Sequence, residues 1–492
     1  MKPFELLIWL LASLLLLRQI VVSPKPGMLA VLLLAASLLL ILMQVLLEGW
    51  RKPVLLASLS LLALAVLPWL LKLLNLADHA LPARLLLAVA GLLLVASTAS
   101  NWLQPAVRYD VPGGPYPLIG MMALSVEGSA PPGDVPTLAE RRHPPAQVKI
   151  WFPARADAAK GPFGRASLTK RLAQFPQRGS QLDEPAQADA WPLDLPEPAP
   201  LLFYYPGWPG VAIESAALVR ELVSHGYYVA TVEYPARQSG MSDARHTALL
   251  TELQQSYEYS SEARYRELIE ISEARVRGRA ADASATLDRL AALVASPTHR
   301  LRGRFDVHRA GIIGFSLGGA VATQTVNRDR RFVTAINLDG RHWAEGRREG
   351  ALRPMLMLSE PLPFPEPAQF SSTIADQRYN AIEDQDDYTQ LAANLAKHGG
   401  MHVTIRDALH FNFADLCLTS PRPGRVASGR IDPRRGHQII HAYALAWFDR
   451  ALRGRPSPLL DTDTSPFPEV DVRYWPSPIA PFGDIEVAGL AS

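Results

Sequence analysis

The chain of 492 residues has one cysteine, Cys417, and almost no net charge. A single cysteine excludes an internal disulfide framework and a cysteine-rich metal site. The 49 Lys and Arg residues nearly balance the 47 Asp and Glu residues, and the basic runs at 141–143 and 345–349 are short. Because no strong electrostatic field results, no nucleic-acid partner is expected. The sequence also contains no internal repeat.

Hydrophobic residues make up 48% of the chain and are concentrated in its first hundred residues. Four apolar segments follow one another there, at 4–22, 28–47, 54–74 and 81–98. Each is close to the roughly 20 residues that an α-helix needs to cross a bilayer. A cleaved signal peptide would be single, and a soluble helical domain would carry more charge on its outer faces. The pattern therefore predicts an all-α region of four transmembrane helices across 1–100, in an integral membrane protein.

The orientation of these helices is less clear from the sequence. An even number of spans places the C-terminal domain on the side of Met1. Near the segment ends, the positive residues on that side are Lys2, Arg51, Lys52 and Arg108, and those on the other side are Arg18, Lys25, Lys72 and Arg84. These equal numbers select no orientation under the positive-inside rule. The charges that flank the first segment favour an extracytoplasmic domain, and the expected location is the bacterial inner membrane.

The rest of the chain alternates between short β-branched or aromatic runs and helical patterns. Residues 101–146 are rich in Pro and Gly and predict a linker with an irregular start of the next domain. Predicted strands then lie at 147–153, 200–205, 227–233, 310–315, 332–338, 354–358 and 402–408. Predicted helices lie at 213–226, twice across 246–296, at 385–398 and at 437–454. The alternation predicts an α/β domain over 147–455 with a mostly parallel sheet, a helical insertion at about 246–296, and a proline-rich tail over 456–492.

A serine between glycines stands where one predicted strand should become a helix. Gly314, Ser316 and Gly318 form a Gly-x-Ser-x-Gly motif directly after the apolar run 310–315. An ordinary tight turn could contain the same residues. A nucleophile elbow requires this strand-to-helix context, because the sharp turn exposes the serine oxygen. Ligands of a parallel sheet bind outside the carboxyl ends of its strands, so the context favours Ser316 as a nucleophile.

A serine nucleophile needs a base, and the base needs a group that orients it. In a hydrolase with this elbow the partners follow in the order Ser, acid, His. Of the twelve histidines, His410 is the best placed, because it follows the predicted strand 402–408 almost directly. Asp339 and Glu360 each come directly after a predicted strand. Position alone leaves both of them open as the acid.

Several strings resemble the platelet-activating factor acetylhydrolase family over roughly 110–453: GFSLGG, AINLDG and HFNFADL, with the earlier GPYPLIG and the later GRID. That family comprises calcium-independent, serine-dependent enzymes of the α/β-hydrolase fold that remove short or oxidised acyl chains from phospholipids. The resemblance implies Ser316 as the nucleophile and His410 as the base. The family's acid lies 23 residues after the nucleophile, which matches Asp339 and favours it over Glu360.

The tetrahedral intermediate of such a reaction needs two backbone donors for its oxyanion. One is expected from the amide of Leu317, directly after the nucleophile, and the other from Trp208 in the loop after the strand at 200–205. Family members usually carry His-Gly before the second donor, whereas this chain has Pro206 and Gly207. The indole of Trp208 either shortens the acyl pocket or packs against the core.

The sequence thus predicts a membrane-anchored serine hydrolase that acts on acyl esters of lipids or lipid-like substrates at the bilayer surface, without a metal or organic cofactor. One alternative is a broad carboxylesterase or polyester hydrolase of the dienelactone-hydrolase-like kind. Those relatives usually have a cysteine nucleophile, and Cys417 does not lie at the elbow. Another alternative is a membrane receptor with a hydrolase-like domain that only binds. The complete Ser, Asp and His set argues against it.

Overall fold

A computed structural model describes residues 3–22, 27–48, 52–74, 80–103, 110–125, 146–155, 186–188, 190–208, 212–234, 258–419, 428–462 and 464–476. The contacts divide the chain into two units. A helical unit contains the described residues up to 103, and a larger unit contains the described strands.

The helical unit consists of helices α1 (Pro3–Val21), α2 (Met28–Glu48), α3 (Lys52–Leu73) and α4 (Ala80–Leu103). All four are long and apolar enough to cross a membrane, which agrees with the four predicted segments. The helices bury a shared cluster that includes Ile8, Leu61 and Ala90, while many other leucines remain exposed. A helix that is apolar on all sides suits an apolar surrounding.

Polar side chains join these helices to one another. Gln19 of α1 donates a hydrogen bond of 2.8 Å to the carbonyl oxygen of Leu64 in α3. The Ser60 hydroxyl in α3 donates to the carbonyl oxygen of Ala90 in α4 at 2.8 Å. Between apolar helices such bonds contribute modestly to association, and they also satisfy polar groups that would otherwise lie in an apolar surrounding.

The larger unit is built on a ten-stranded sheet with the strand order β10-β9-β8-β7-β6-β4-β5-β2-β1-β3. The strands are β1 (Ile119–Ser125), β2 (Gln147–Pro153), β3 (Gln187–Ala188), β4 (Ala199–Tyr205), β5 (Tyr228–Glu233), β6 (Phe305–Phe315), β7 (Phe332–Leu338), β8 (Met355–Ser359), β9 (Gly400–Ile405) and β10 (Val470–Trp475). Strands β4 to β9 run parallel to their neighbours in this group, and β2 and β10 pair antiparallel at its two sides. The sheet is therefore mostly parallel, as predicted.

Helices cover both faces of this sheet. They are α5 (Ala216–Ser224), α6 (Glu262–Ala295), α7 (Leu317–Arg328), α8 (Ala344–Glu349), α9 (Pro367–Phe370), α10 (Ala375–His398) and α11 (Pro433–Arg453). In β4, Leu201 and Phe203 join a core with α6 and α7, and Leu202 and Tyr204 join a second core with α5 and α11. Because alternate residues of a strand face opposite sides, a strand covered on both sides is a continuous apolar run. This is the predicted α/β-hydrolase fold.

Several elements of the structure were not predicted from the sequence, among them strand β3 and the short helices α8 and α9. Strand β1 lies inside the predicted linker 101–146, and β10 lies inside the predicted tail 456–492. Both strands lie at or next to an edge of the sheet and form by pairing with residues distant in sequence. Their own composition therefore predicts a strand only weakly. Within 246–296, where two helices are expected, the described residues contain one helix, α6 (Glu262–Ala295). Residues 246–257, and parts of the predicted linker and tail, lie outside the described residues.

Candidate active site

Ser316 stands on a sharp turn between β6 and α7, with a φ of 54°. The turn is possible because its neighbours are glycines. A Cβ on Gly314 would lie 2.0 Å from the carbonyl oxygen of Gly318, and a Cβ on Gly318 would lie 2.1 Å from that of Tyr205. Such contacts forbid any side chain at either position. The predicted motif therefore has the geometry of a nucleophile elbow.

Ser316, His410 and Asp339 form one hydrogen-bonded chain. His410 Nε2 lies 3.0 Å from Ser316 Oγ, and His410 Nδ1 lies 2.6 Å from Asp339 Oδ2. The three residues follow the ends of β6, β9 and β7, which lie within one sheet. The structure thus brings together the three residues that the sequence predicted separately.

The second acid candidate, Glu360, touches the same residues in a different way. Its backbone N–H donates to Asp339 Oδ1 at 2.8 Å. The imidazole ring of His410 bonds to Asp339, and the Glu360 carboxylate acts on it through its charge. Burial, followed by the charge of Asp339, raises the pKa of Glu360 to about 7. The backbone of Glu360 therefore bonds to the Asp339 carboxylate, and of these two acids Asp339 is the one that bonds to the imidazole ring.

The charges around His410 favour its protonated form. Burial by itself lowers the pKa of His410, but the hydrogen bond and charge of Asp339 and the charges of Glu360 and Glu214 outweigh it. The pKa of His410 is therefore raised above its ordinary value of 6.5. An imidazole that becomes more basic when it faces a carboxylate is suited to accept a proton from a serine.

The turn that carries Asp339 is fixed by a neighbour that the sequence analysis did not single out. Asp339 has a φ of 55°, which is rare for a residue with a side chain. Asn337 accepts a hydrogen bond from the Gly340 amide and donates one to the Gly340 carbonyl, both at 2.8 Å. A Cβ on Gly340 would lie 2.0 Å from the carbonyl oxygen of Ser316. The acid turn thus packs directly against the elbow.

Two further polar residues hold the segment that carries His410. Asn412 Oδ1 accepts the amides of Leu409 at 2.9 Å and of Gly429 at 2.6 Å. The buried carboxylate of Asp415 accepts the Ala217 amide at 3.1 Å, at the start of α5. Both residues belong to the string HFNFAD. The sequence analysis used this string only to identify His410. The same string could also have pointed to Asn412 and Asp415.

The loop after β4 passes close to the serine. An ideal Cβ on Gly207 would lie 3.4 Å from Ser316 Cβ, and the Gly207 amide donates to Glu214 Oε1 at 2.5 Å. Leu317 is the first residue of α7, where the amides have no partner within the helix and the helix dipole favours negative charge. Trp208 is partly buried against the core, and the guanidinium of Arg275 lies 3.6 Å from its ring centroid. Of the two possibilities for the indole, packing against the core is the one observed.

Glu214 brings a third carboxyl group near the site. Burial raises its pKa to about 7, although the Gly207 hydrogen bond and the charges of Arg279 and His410 act in the opposite direction.

Among the residues that the structure describes, no group of three or more His, Cys, Asp or Glu side chains could hold a metal ion.

A sheet covered on both faces, with a serine on a strained turn between a central strand and a helix, defines the α/β-hydrolase class. Within this class, the family model of platelet-activating factor acetylhydrolase, isoform II, matches residues 150–455. The chain belongs to this family.

The chain is similar to a platelet-activating factor acetylhydrolase of Cavia porcellus, with 25% identity over 284 residues. The match covers 53% of this chain and 59% of the relative's length. Among solved structures, a ferulic acid esterase from Streptomyces cinnamoneus is 25% identical, with a TM-score of 0.49. That match covers 75% of this chain and 99% of the esterase.

Proposed function

We propose that this protein is a membrane-anchored serine hydrolase that cleaves acyl esters of lipids through an acyl-enzyme. The observation that carries the proposal is the hydrogen-bonded chain from Ser316 through His410 to Asp339, with distances of 3.0 and 2.6 Å. A nucleophile, a base and an orienting carboxylate in this geometry are the requirements of acyl transfer. Cys417 is buried, and its thiol donates to the Ala414 carbonyl, so the elbow residue Ser316 is the proposed nucleophile.

The proposed reaction has two halves. In the first, Ser316 Oγ attacks the acyl carbonyl carbon while His410 Nε2 takes the hydroxyl proton, and the amides of Leu317 and Trp208 stabilise the oxyanion. His410 then returns the proton to the alcohol oxygen as the ester bond breaks. The alcohol departs, and the acyl group remains bound to Ser316. In the second half, water attacks the acyl carbon while His410 takes its proton. The bond between Ser316 Oγ and the acyl carbon then breaks as His410 returns that proton to Oγ, and the acid product is released. Asp339 stabilises the imidazolium in both halves.

Short acyl esters of phospholipids are the proposed substrates. The family and the Cavia porcellus relative are named for the hydrolysis of an acetyl ester of a phospholipid. Phe315 and Phe411 pack against the imidazole of His410, with ring centroids 4.8 and 5.5 Å away. Phe411 is only partly buried, so its ring gives the site an apolar surface. A profile of turnover against acyl-chain length, with the full-length protein in detergent, tests this substrate class, and turnover should be highest for the shortest chains.

The four N-terminal helices are proposed to hold the enzyme at the bilayer that contains its substrate. Their length and apolar composition suit four spans. The proposed anchor covers 1–100, and the proposed catalytic domain extends beyond the predicted 147–455 to include β1 and β10 of the same sheet. The proposed location is an inner membrane, with the catalytic domain on the extracytoplasmic side.

A protein that lacks residues 1–100 is expected to remain an active hydrolase on a water-soluble acetyl ester. The three proposed catalytic residues all lie in the larger unit, so kcat/KM on p-nitrophenyl acetate should stay within about tenfold of that of the full-length protein. On short-chain phospholipid in vesicles, the shortened protein should be much less active, because it is no longer held at the surface.

The full-length protein reconstituted in the same vesicles is the matched control. If the shortened protein is folded but inactive on the soluble ester, the helices form part of the site. If the shortened protein is as active on the vesicles as the full-length protein, the four helices do not serve to bring the enzyme to its substrate.

Glu360→Gln is expected to move the acidic limb of the pH profile to lower pH. The reaction needs a neutral His410, so kcat/KM should fall as the pH falls through the raised pKa of that imidazole. The charge of Glu360 contributes to the rise, and an uncharged amide should therefore lower the pKa of His410. The measurement is kcat/KM on p-nitrophenyl acetate against pH for both proteins. An unchanged or upward-shifted limb would contradict the charge effect.

A further inference from the structure

The long helix α6 contacts the loop that follows β4 through one buried arginine. Arg279 is 3% exposed. Its Nη1 donates to the carbonyl oxygens of Pro206 at 3.3 Å and Gly207 at 3.0 Å, and its Nη2 donates to that of Trp208 at 3.2 Å. One guanidinium thus binds three successive carbonyl groups of the loop. The planar fork of an arginine suits such an arrangement, whereas a lysine is a single point of charge.

These bonds fix the direction in which the loop's amides point. The described residues contain no cis peptide bond, and in a trans peptide the N–H points opposite to the preceding C=O. The Pro206 carbonyl faces Arg279, and the next amide, that of Gly207, donates to Glu214 on the opposite side. By the same rule, the bond from Arg279 to the Gly207 carbonyl directs the Trp208 N–H away from α6. The orientation of the proposed oxyanion donor is therefore set by Arg279.

Arg279 is itself held in place by its neighbours. Its guanidinium lies 4.5 Å from the ring centroid of Tyr234, and the Tyr234 hydroxyl donates to Asp282 at 2.8 Å. Asp282 lies one helical turn after Arg279 on α6. The ring face and the nearby Asp282 carboxylate both stabilise the charge of Arg279, and its N–H groups still donate to the loop carbonyls. One turn before it, Arg275 packs over the Trp208 indole, so α6 fixes both the backbone and the side chain of the loop.

We propose that Arg279 is a positioning residue that orients the Trp208 amide toward the oxyanion. The proposal rests on the proposed function, because an oxyanion forms only if the chain hydrolyses esters through Ser316. It also assigns a role to the helical insertion, which holds one wall of the reaction centre. Arg279 acts through the loop and does not touch the substrate.

The test replaces Arg279 with methionine and, separately, with lysine in the full-length protein. Loss of one oxyanion donor costs about 10²–10³ in kcat, and Arg279→Met should lose a similar factor with little change in KM. Arg279→Lys should recover part of it. The decisive readout is the inhibition constant of a trifluoromethyl ketone, which adds to Ser316 and places its oxygen where the oxyanion forms. That constant should rise by the same factor as kcat falls.

Arg277→Met is the matched control on the same helix. Arg277 is exposed and pairs with Glu273 and Glu345, so its replacement should leave kcat and the inhibition constant unchanged. The proposal is overturned if folded Arg279→Met keeps kcat within about fivefold of wild type, or if kcat falls while ketone binding stays the same. If Arg279→Met does not fold, Arg279→Lys decides by the same comparison of kcat with the inhibition constant.

The two proposals can fail separately. If wild-type turnover does not depend on Ser316, the proposed function and the role of Arg279 are both wrong. If turnover depends on Ser316 and ketone binding is insensitive to Arg279, only the role of Arg279 is wrong.

Discussion

Ser316→Ala is expected to abolish ester hydrolysis and labelling by a fluorophosphonate, with a loss on the order of 10⁶ in kcat. The reason is that Ser316 Oγ is the only atom removed, and it is the atom that lies 3.0 Å from His410 Nε2. The backbone conformation of the elbow depends on the neighbouring glycines, so the variant should fold. Turnover of p-nitrophenyl acetate, probe labelling and thermal unfolding are measured on the full-length protein in detergent.

Ser371→Ala is the control for this experiment. Ser371 is exposed, and its hydroxyl donates only locally, to the Ala368 carbonyl at 3.2 Å. Its replacement should leave labelling and turnover as in the wild type. Retained turnover in Ser316→Ala would place the nucleophile elsewhere. If the folded wild type takes no label, the domain is one that only binds, and the enzymatic proposal fails.

Asp339→Asn should cost about 10³–10⁴ in kcat, because an amide at this position holds the imidazole in the wrong tautomer. Asp339 Oδ2 accepts from His410 Nδ1 at 2.6 Å, and an asparagine nitrogen there would instead present a donor. Glu360→Gln should stay within about tenfold of wild type at its best pH, because the His410 ring bonds to Asp339 and Ser316 and not to Glu360. Both variants are compared in kcat and in thermal unfolding.

Comparing these two variants distinguishes two reasons for a loss of kcat: a misoriented imidazole ring and the removal of a negative charge near His410. Both substitutions remove one carboxylate beside His410, so a pure charge effect would give similar losses. A much larger loss for Asp339→Asn supports the orienting role. The reverse ranking would move the acid to Glu360.

The elbow was predictable because its signal is local. Gly314, Ser316 and Gly318 all lie within five residues, and the contact that requires Gly314 forms inside the turn, although the one that requires Gly318 is made with Tyr205 on a neighbouring strand. The proposed acid was different. Asp339 and Glu360 follow the neighbouring strands β7 and β8, and the charges of both act on His410, but the imidazole ring bonds to Asp339. Position in the sequence does not tell which of two nearby carboxylates bonds to the ring, which is why the family spacing was needed.

The contacts of α6 could not be read from the sequence for a different reason. Arg279 lies more than 70 residues after the loop that it binds, and its helix is polar enough to be read as a solvated insertion. Only the fold brings the two together. The same holds for β1 and β10, which are strands because a distant partner supplies the ladder of hydrogen bonds.

Strand β10 lies at one edge of the sheet and pairs with β9, the strand that leads to His410. It is also the last described strand of the chain, so on the ribosome β9 is complete well before its outer neighbour exists. During that interval β9 is an open edge, and open edges are the surfaces on which nascent chains associate with one another. A chain that ends before Val470 would contain all three proposed catalytic residues, and its defect would be aggregation during synthesis rather than slow turnover.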